Sequence, residues 1–264
     1  MPDHPPAPAA RIKGFTLVEL LVVIGIIAVL MGILLPALAA ARQRTHLVTC
    51  LSNLRQVGIA VHSYANDNGG RIPFGPDALP YASAGNFYPF RGSPTSLLSL
   101  DTGAPVGIGL VLERYLRANA MVVFCPGADQ PYGLEQELTK IGKSQAQGSF
   151  YYRHASVVSI ADPVATGGAP AHIALRRLGT NRNGKPVRAL AMDSQFLAPV
   201  ALSSFNIFSR THHSAKWSNV LFSDGSAAAS KNTDGRFTVN VNSPIALPTA
   251  FDLILKAFER ADVE

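Results

Sequence analysis

Glu19 is the side chain whose type and position point most directly to chemistry in this sequence. It stands at the leading edge of an apolar stretch, because residues 20–35 contain no charged or hydrogen-bonding side chain. An ionised carboxylate inside hydrocarbon is costly and marks a function or a specific partner. The alternative is that Glu19 reaches the lipid headgroups, since it lies only six residues after Lys13.

The other side chains with catalytic or metal-binding chemistry show no familiar spacing. The seven histidines include no pair at helical metal-ligand spacing, and the adjacent His212 and His213 would point to opposite faces of a strand. A site built from Asp193, His213 and Asp224 requires neighbouring strands, and a polar cluster that fixes a hairpin turn is the favoured interpretation. The sequence therefore predicts no metal ligands and no catalytic residues.

The two cysteines, Cys50 and Cys125, exclude a disulfide scaffold and a four-thiolate zinc site. In an oxidising compartment they could form one bridge, and closing so long a loop would stabilise the chain by about 4 kcal/mol in the chain-entropy model. Two small, buried apolar side chains are the alternative. The sequence leaves both interpretations open.

A membrane-spanning helix must carry Glu19. With residues 15–18 before it and residues 37–41 after it, the apolar stretch is long enough to cross a bilayer, which takes about 20 residues. A secretory signal peptide is the alternative, because Arg11 and Lys13 form a basic start and small residues follow the apolar stretch. The core of such a signal has only about 7 to 15 residues, which argues against it.

The segment Lys13-Gly14-Phe15-Thr16-Leu17-Val18-Glu19, followed by the apolar stretch with Pro36 near its end, resembles the prepilin signal of type IV pilins and type II secretion pseudopilins. The resemblance implies that prepilin peptidase cleaves after Gly14 and N-methylates Phe15. It also implies that Glu19 pairs with the Phe15 ammonium of a neighbouring subunit during assembly. A proline inside a helix removes one hydrogen bond, so Pro36 predicts a kink or local melting.

A second resemblance lies near the C-terminus. Residues 211–225 are similar to the H-x9-DG element of pilin-like proteins found chiefly in planctomycetes, with His213, Asp224 and Gly225 at the matching positions. Ten residues instead of nine separate His213 from Asp224, which indicates an insertion near Lys216. Residues 50–56 and 124–126 are similar to the same group.

The remaining sequence predicts an α+β, pilin-like fold in which a long transmembrane-plus-amphipathic helix packs on a mostly antiparallel sheet. We expect the helix to end at residues 66–70, where Asn, Asp and Gly cluster. The further expected elements are a helix at 107–118, strands at 121–124, 149–160 and 236–241, hairpins spanning 173–192 and 219–229, and a helix at 250–261. Residues 71–101 show no periodicity and predict a long irregular connection.

Together with these patterns, the resemblance implies a leader at 1–14, a transmembrane segment at 15–41 and a periplasmic or extracellular head at 42–264. Residues 42–68 form the C-terminal half of the long helix. The positive-inside rule does not orient the segment, because two basic residues flank each end. The resemblance places the N-terminus in the cytoplasm and the head in the periplasm, with a single pass through the inner membrane.

Composition excludes other classes of protein. The net charge of +6 comes from 23 Lys and Arg against 17 Asp and Glu, and it is spread too thinly for a nucleic-acid surface.

The resemblance implies four partners: prepilin peptidase, other subunits, an inner-membrane assembly platform and the lipid bilayer. We expect no cofactor, although some pseudopilins bind calcium and Asp224 or Asp234 would be the candidate ligands.

The sequence therefore predicts a non-enzymatic, pilin-like subunit of a pilus or of a type II secretion pseudopilus, and it does not distinguish between those assemblies. The competing hypothesis is a periplasmic enzyme or ligand-binding domain that uses the helix only as an anchor.

Overall fold

The computed structural model describes residues 16–75, 94–127, 133–154, 173–193, 195–205, 209–241 and 247–264. It divides into two compact units, Met1–Arg42 and Gln43–Glu264. The domain limits inferred from the sequence stay predictions.

Helix α1 spans Leu17–Asp67 and begins in the first unit. Every residue from 17 to 42 is exposed, although most of these side chains are apolar. Within the described part of the chain, α1 is the one helix that is long and apolar enough to cross a membrane. It runs through Pro36 without a break, so the local melting expected there is not seen. A single missing hydrogen bond is tolerated because the bonds on either side continue the helix.

In the second unit, α1 is amphipathic as the sequence predicted. Its buried residues recur at intervals of three and four, which places them on one stripe of the helix: Cys50, Leu54, Val57, Gly58, Ala60, Val61 and Ala65. The helix ends at Asp67, and the N–H of Gly70 donates to the carbonyl of Ala65 at 2.7 Å. Gly70 has a φ of +81°, a conformation that glycine adopts without strain. The predicted helix end is thus confirmed.

Among the described residues, five strands form one antiparallel sheet. In spatial order they are β1 (Thr95–Ser99), β2 (Ala146–Tyr152), β3 (Ala189–Met192), β5 (Trp217–Phe222) and β6 (Ala227–Lys231). Two short strands, β4 (Gln195–Leu197) and β7 (Thr238–Asn240), pair in parallel beside it. This α+β arrangement is the predicted fold class and is consistent with a pilin-like fold.

Helices cover both faces of the sheet. On one face, α1 packs through Leu54 and its neighbours against Leu190 and Leu221. On the other face, α4 (Leu247–Ala261) packs through Ile254 and Phe258 against Val220 and its neighbours. Successive residues of β5, such as Val220 and Leu221, therefore enter different cores, as the two-residue period of a strand requires.

Smaller helical elements connect these layers. Two are α-helices, α2 (Gly109–Tyr115) and α3 (Leu134–Lys140). The others are 3-10 helices at Arg117–Val123, Val200–Phe205, His213–Ala215 and Thr233–Gly235.

Several predicted elements are confirmed and three are wrong. The hairpin at 219–229, the helix at 107–118 and the C-terminal helix are present. Three of the four residues of the strand expected at 121–124 belong instead to a 3-10 helix that ends at Val123. The prediction failed because a short buried apolar run has no period that distinguishes a strand from a helix. Residues 173–178 are not a strand paired with β3, since Ala174 makes only an isolated bridge to Arg71. The irregular connection expected at 71–101 contains strand β1 at Thr95–Ser99, which pairs with β2. Its residues 76–93, and residues 155–160 of another prediction, lie outside the described residues.

Candidate functional site

The first candidate site is the start of α1. Gly14 and Phe15 lie outside the described residues. Thr16 precedes the helix, and its backbone N–H and hydroxyl donate to Oε2 of Glu19 at 2.9 and 2.7 Å. The N–H of Glu19 donates in return to Oγ1 of Thr16 at 3.2 Å. This reciprocal pair is a capping box, which satisfies amide groups that the first helical turn leaves without partners.

The capping role of Glu19 was not predicted from the sequence. The sequence does contain the pattern of a capping box, because Thr16 and Glu19 have the required spacing directly before an apolar run. Glu19 is exposed in this structure. Its carboxylate therefore has a local structural role in the single chain, in addition to any role between subunits.

The second candidate site is a cluster of four buried side chains in the second unit. It consists of Cys50, Cys125, Asp193 and His213, and we call it the buried polar cluster. One potential ligand atom from each residue lies within 4.8 Å of all the others. All four residues are buried, with 0 to 8% of their surface exposed.

Two of the four residues are held by α1 and the loop that packs on it. Cys50 lies on the buried stripe of α1, and Asn53, one turn further along, donates from Nδ2 to the carbonyl of Phe124 at 3.0 Å. That bond fixes the segment that carries Cys125. The two cysteines therefore approach each other because α1 binds the backbone directly before Cys125.

The other two residues are held by the central strands. Asp193 follows β3, and its N–H donates to the carbonyl of Asn219 on β5 at 3.1 Å. The N–H of Asn219 donates to Oδ1 of Asp193 at 2.5 Å, and Ser218 donates its hydroxyl to the carbonyl of Asp193. His213 lies in a short turn directly before β5.

The polar atoms of the cluster are in direct contact. The thiol of Cys50 donates to Oδ2 of Asp193 at 3.3 Å, and Nε2 of His213 lies 3.1 Å from the same oxygen. Nε2 of His213 also lies 3.4 Å from Sγ of Cys125. Nδ2 of Asn219 is 2.9 Å from both Oδ2 of Asp193 and Nε2 of His213. Atoms from all four side chains thus converge on one small volume.

These contacts shift the ionisation of the cluster. The pKa of the Cys125 thiol is lowered, first by its hydrogen bond with Cys50 and then by His212 and His213, against the effect of burial. Burial disfavours the charged form of His213, but its hydrogen bond with Asp193 and contact with Cys125 raise its pKa to about 10. Burial raises the pKa of Cys50.

A cysteine, a histidine and an aspartate in contact resemble a nucleophilic relay, but the geometry argues against one. A relay needs the base to contact the nucleophile through one ring nitrogen and the orienting carboxylate through the other. Here Nε2 of His213 contacts both Cys125 and Asp193. The residues are also buried, so a substrate has no access to the sulfur in this state. The residue types, two thiols, an imidazole and a carboxylate, are instead those of a transition-metal site.

The structure separates the residues of the H-x9-DG-like element. His213 joins the buried polar cluster, whereas Asp224 lies exposed in the turn after β5 and accepts hydrogen bonds from Ser226. The whole of strand β5 lies between them in the chain. Asp193 and His213 are therefore brought together without Asp224. Gly225 has a φ of +85°, which the tight turn requires.

The two cysteines are thiols in this structure, with their sulfur atoms in the same cluster. Their pairing as a disulfide stays a prediction, as does calcium binding at Asp224 or Asp234. The cluster was not predicted from the sequence, in which the two cysteines and His213 are far apart. No local spacing could have revealed it, because Cys50 and Asp193 are 143 residues apart.

Comparison with protein families gives one match. The model of the prokaryotic N-terminal methylation motif matches residues 10–35, which include Gly14, Phe15 and Glu19. Neither the comparison with curated proteins nor that with solved structures shows a significant match. Membership of the planctomycete group stays a prediction. The chain therefore carries a methylation motif that supports a type IV pilin-like prepilin signal at its N-terminus.

Proposed function

We propose that this protein is a pilin-like structural subunit that is made as a prepilin. Prepilin peptidase removes residues 1–14 after Gly14 and methylates the new N-terminus at Phe15. The subunit then assembles through its N-terminal helix into a pilus or a type II secretion pseudopilus. The observation that carries this proposal is the match of the methylation motif to residues 10–35, at the start of an apolar helix.

The apolar segment of α1 supports assembly as the mechanism. Its side chains are exposed in the single chain, so they must be covered by lipid or by the same segment of other subunits. In the membrane they meet lipid, and in a filament they would form a shared helical core. The proposed partners are accordingly prepilin peptidase, other subunits, the assembly platform and the lipid bilayer.

Glu19 gives this assembly its register. A carboxylate in an apolar helix bundle is tolerated when it meets an opposite charge. The proposed partner is the N-terminal ammonium of Phe15 from the neighbouring subunit, which exists only after Gly14 has been removed. Cleavage would therefore create the charge that Glu19 needs, so that processing precedes assembly.

The proposal also assigns a location. The unprocessed chain would cross the inner membrane once, with its N-terminus in the cytoplasm and residues 43–264 in the periplasm. After assembly these residues would form the outer surface of a periplasmic or surface filament. This role requires no cofactor, no nucleic acid and no catalytic residue.

Mass spectrometry of the mature N-terminus tests the proposal. The full chain is purified from membranes of cells with and without prepilin peptidase, and its intact mass and N-terminal peptide are measured. We expect N-methylated Phe15 in the first case and the intact leader in the second. A leader retained in both cases, or a new terminus near residues 40–42, would contradict the proposal and indicate a plain anchor or a signal peptide.

A further inference from the structure

We propose that Cys50, Cys125, Asp193 and His213 form a closed structural site for one zinc ion. The site would hold the C-terminal half of α1, the segment around Cys125 and the two central strands together. It lies in the second unit and is independent of the N-terminal processing proposed above.

The distances between the ligand atoms are close to those of a tetrahedral zinc site. With zinc bonds of about 2.3 Å to sulfur and about 2.0 to 2.2 Å to nitrogen and oxygen, the edges of the tetrahedron are about 3.4 to 3.8 Å. Three contacts in the structure lie at or a few tenths of an Å below this range: 3.3 Å for Cys50 and Asp193, 3.1 Å for Asp193 and His213, and 3.4 Å for Cys125 and His213. All four atoms lie within 4.8 Å of one another. Small side-chain movements would therefore complete the coordination sphere.

The ligand types select the metal. Two sulfur ligands, one imidazole and one carboxylate suit zinc in tetrahedral geometry, whereas magnesium and calcium take oxygen ligands. The protein supplies all four ligands and buries them, so no coordination position is left open for a substrate. A closed set of this kind is typical of a structural site rather than a catalytic one.

Zinc binding takes both cysteines as thiolates and the imidazole of His213 as a neutral ligand. With the carboxylate of Asp193, these ligands bring three negative charges to Zn²⁺, so the zinc-bound site carries one net negative charge.

Hydrogen bonds from Asn219 orient the carboxylate ligand, Asp193. The N–H of Asn219 holds Oδ1 of Asp193, which leaves Oδ2 directed at Cys50 and His213. The side-chain amide of Asn219 contacts Oδ2 as well. Outer-shell hydrogen bonds of this kind fix ligating carboxylates in metalloproteins.

Backbone strain at His213 is an independent observation that points to the same site. His213, Ser214 and Ala215 have φ values of +51°, +55° and +56°, which residues with a Cβ atom rarely adopt. Such strain persists where the surrounding structure requires it, and it concentrates at functional sites. The left-handed turn lies in the stretch between His213 and Asp224, where the H-x9-DG-like element has one extra residue. The same turn carries the imidazole of the cluster.

Metal analysis of the full chain in detergent tests the proposal. We expect one equivalent of zinc per chain after dialysis, and two thiols per chain when the denatured protein is titrated with a chelator present. Replacement by Co²⁺ should give the thiolate charge-transfer and intense visible bands of tetrahedral cobalt. Absence of bound metal with a Cys50–Cys125 disulfide would overturn the proposal, and so would a weak octahedral cobalt spectrum.

Variants locate the site. Cys125→Ser and His213→Ala should weaken zinc binding by more than about 100-fold, and Asn219→Ala by about 10- to 100-fold. Asp224→Asn, an exposed change at the other end of β5, is the matched control and should bind zinc as the wild type does. A ligand variant could lose zinc because it folds poorly. Two measurements on the wild-type chain therefore test the site without any variant: the cobalt spectrum and the fall in Tm when zinc is removed by a chelator. Wild-type zinc content in both ligand variants would overturn the proposal.

Discussion

At the scale of the residue, the carboxylate of Glu19 has one role in the single chain and a second, proposed role in the filament. In the single chain its carboxylate caps α1 by accepting two hydrogen bonds from Thr16. In the proposed filament the same carboxylate meets an ammonium group from a neighbouring subunit. Capping depends on the hydrogen bonds, whereas pairing depends on the negative charge. Substitutions that separate hydrogen bonding from charge can therefore distinguish the two roles.

We predict that Glu19→Gln abolishes filament formation and leaves membrane insertion intact, because the glutamine keeps the size and one acceptor oxygen but lacks the charge. Thr16→Val is the matched control, since it removes the capping hydroxyl and leaves the charge of Glu19. We expect Thr16→Val to assemble. Filaments are measured by shearing and high-speed pelleting, insertion by carbonate extraction, and processing by mass spectrometry. Normal filaments from Glu19→Gln would refute the pairing role, and equal loss in both variants would assign the effect to capping.

At the scale of the element, a buried ion pair between Arg153, which follows β2, and Asp262, which follows the C-terminal helix, links that helix to the sheet. Nη1 of Arg153 donates to both carboxylate oxygens of Asp262 at 3.0 Å, and both side chains are buried. The backbone N–H groups of Arg188 and Ala189 and the amide of Asn181 also donate to Asp262. Burial lowers the pKa of Arg153, and the charge of Asp262 opposes that shift. Each member of the pair therefore stabilises the charge of the other.

We predict that Asp262→Ala destabilises the second unit by about 3 to 5 kcal/mol, because it leaves the Arg153 guanidinium buried without a counter-charge. The exposed pair between Arg114 and Asp67 provides the control, since Arg114→Ala removes an ion pair that water already screens. Denaturant unfolding followed by circular dichroism measures both. Equal unfolding midpoints for the two variants would show that Asp262 does not stabilise the fold.

At the scale of the whole molecule, the two units differ in how far they bury their apolar side chains. The core residues of the described chain begin at Cys50 and belong to the second unit. Residues 17–42 of the first unit bury none of their side chains. Membrane affinity and folding are thus assigned to different parts of the chain.

We predict that a chain starting at Gln43 leaves the membrane fraction and keeps its α+β structure, because the removed residues contribute nothing to the two cores. Fractionation and far-ultraviolet circular dichroism measure the outcome, with the full chain as control. A truncated chain that stays with the membranes, or that loses its strand signal, would contradict this division. The same chain would also show whether zinc binding persists without the apolar segment.

Local interactions explain what could be predicted from the sequence. The apolar run predicted a membrane-length helix, the cluster of Asn, Asp and Gly predicted its end near Asp67, and Asp224-Gly225 predicted the hairpin between β5 and β6. Each depends on residues within a few positions of one another, where backbone conformation and side-chain periodicity are decided. The 3-10 helix at Arg117–Val123 shows the limit, because burial in the core decided its conformation and the short apolar run did not.

Only the tertiary structure decided the buried polar cluster. Its contacts join residues 143 and 88 positions apart in the sequence, and they exist because α1 packs on one face of the sheet while β3 pairs with β5. The register between β3 and β5 places Asp193 beside Asn219, and the left-handed turn before β5 places His213 in contact with Cys125. The sequence by itself determined the N-terminal signal and the apolar helix, since both are encoded in contiguous residues. Long-range packing determined which distant polar side chains share one buried volume.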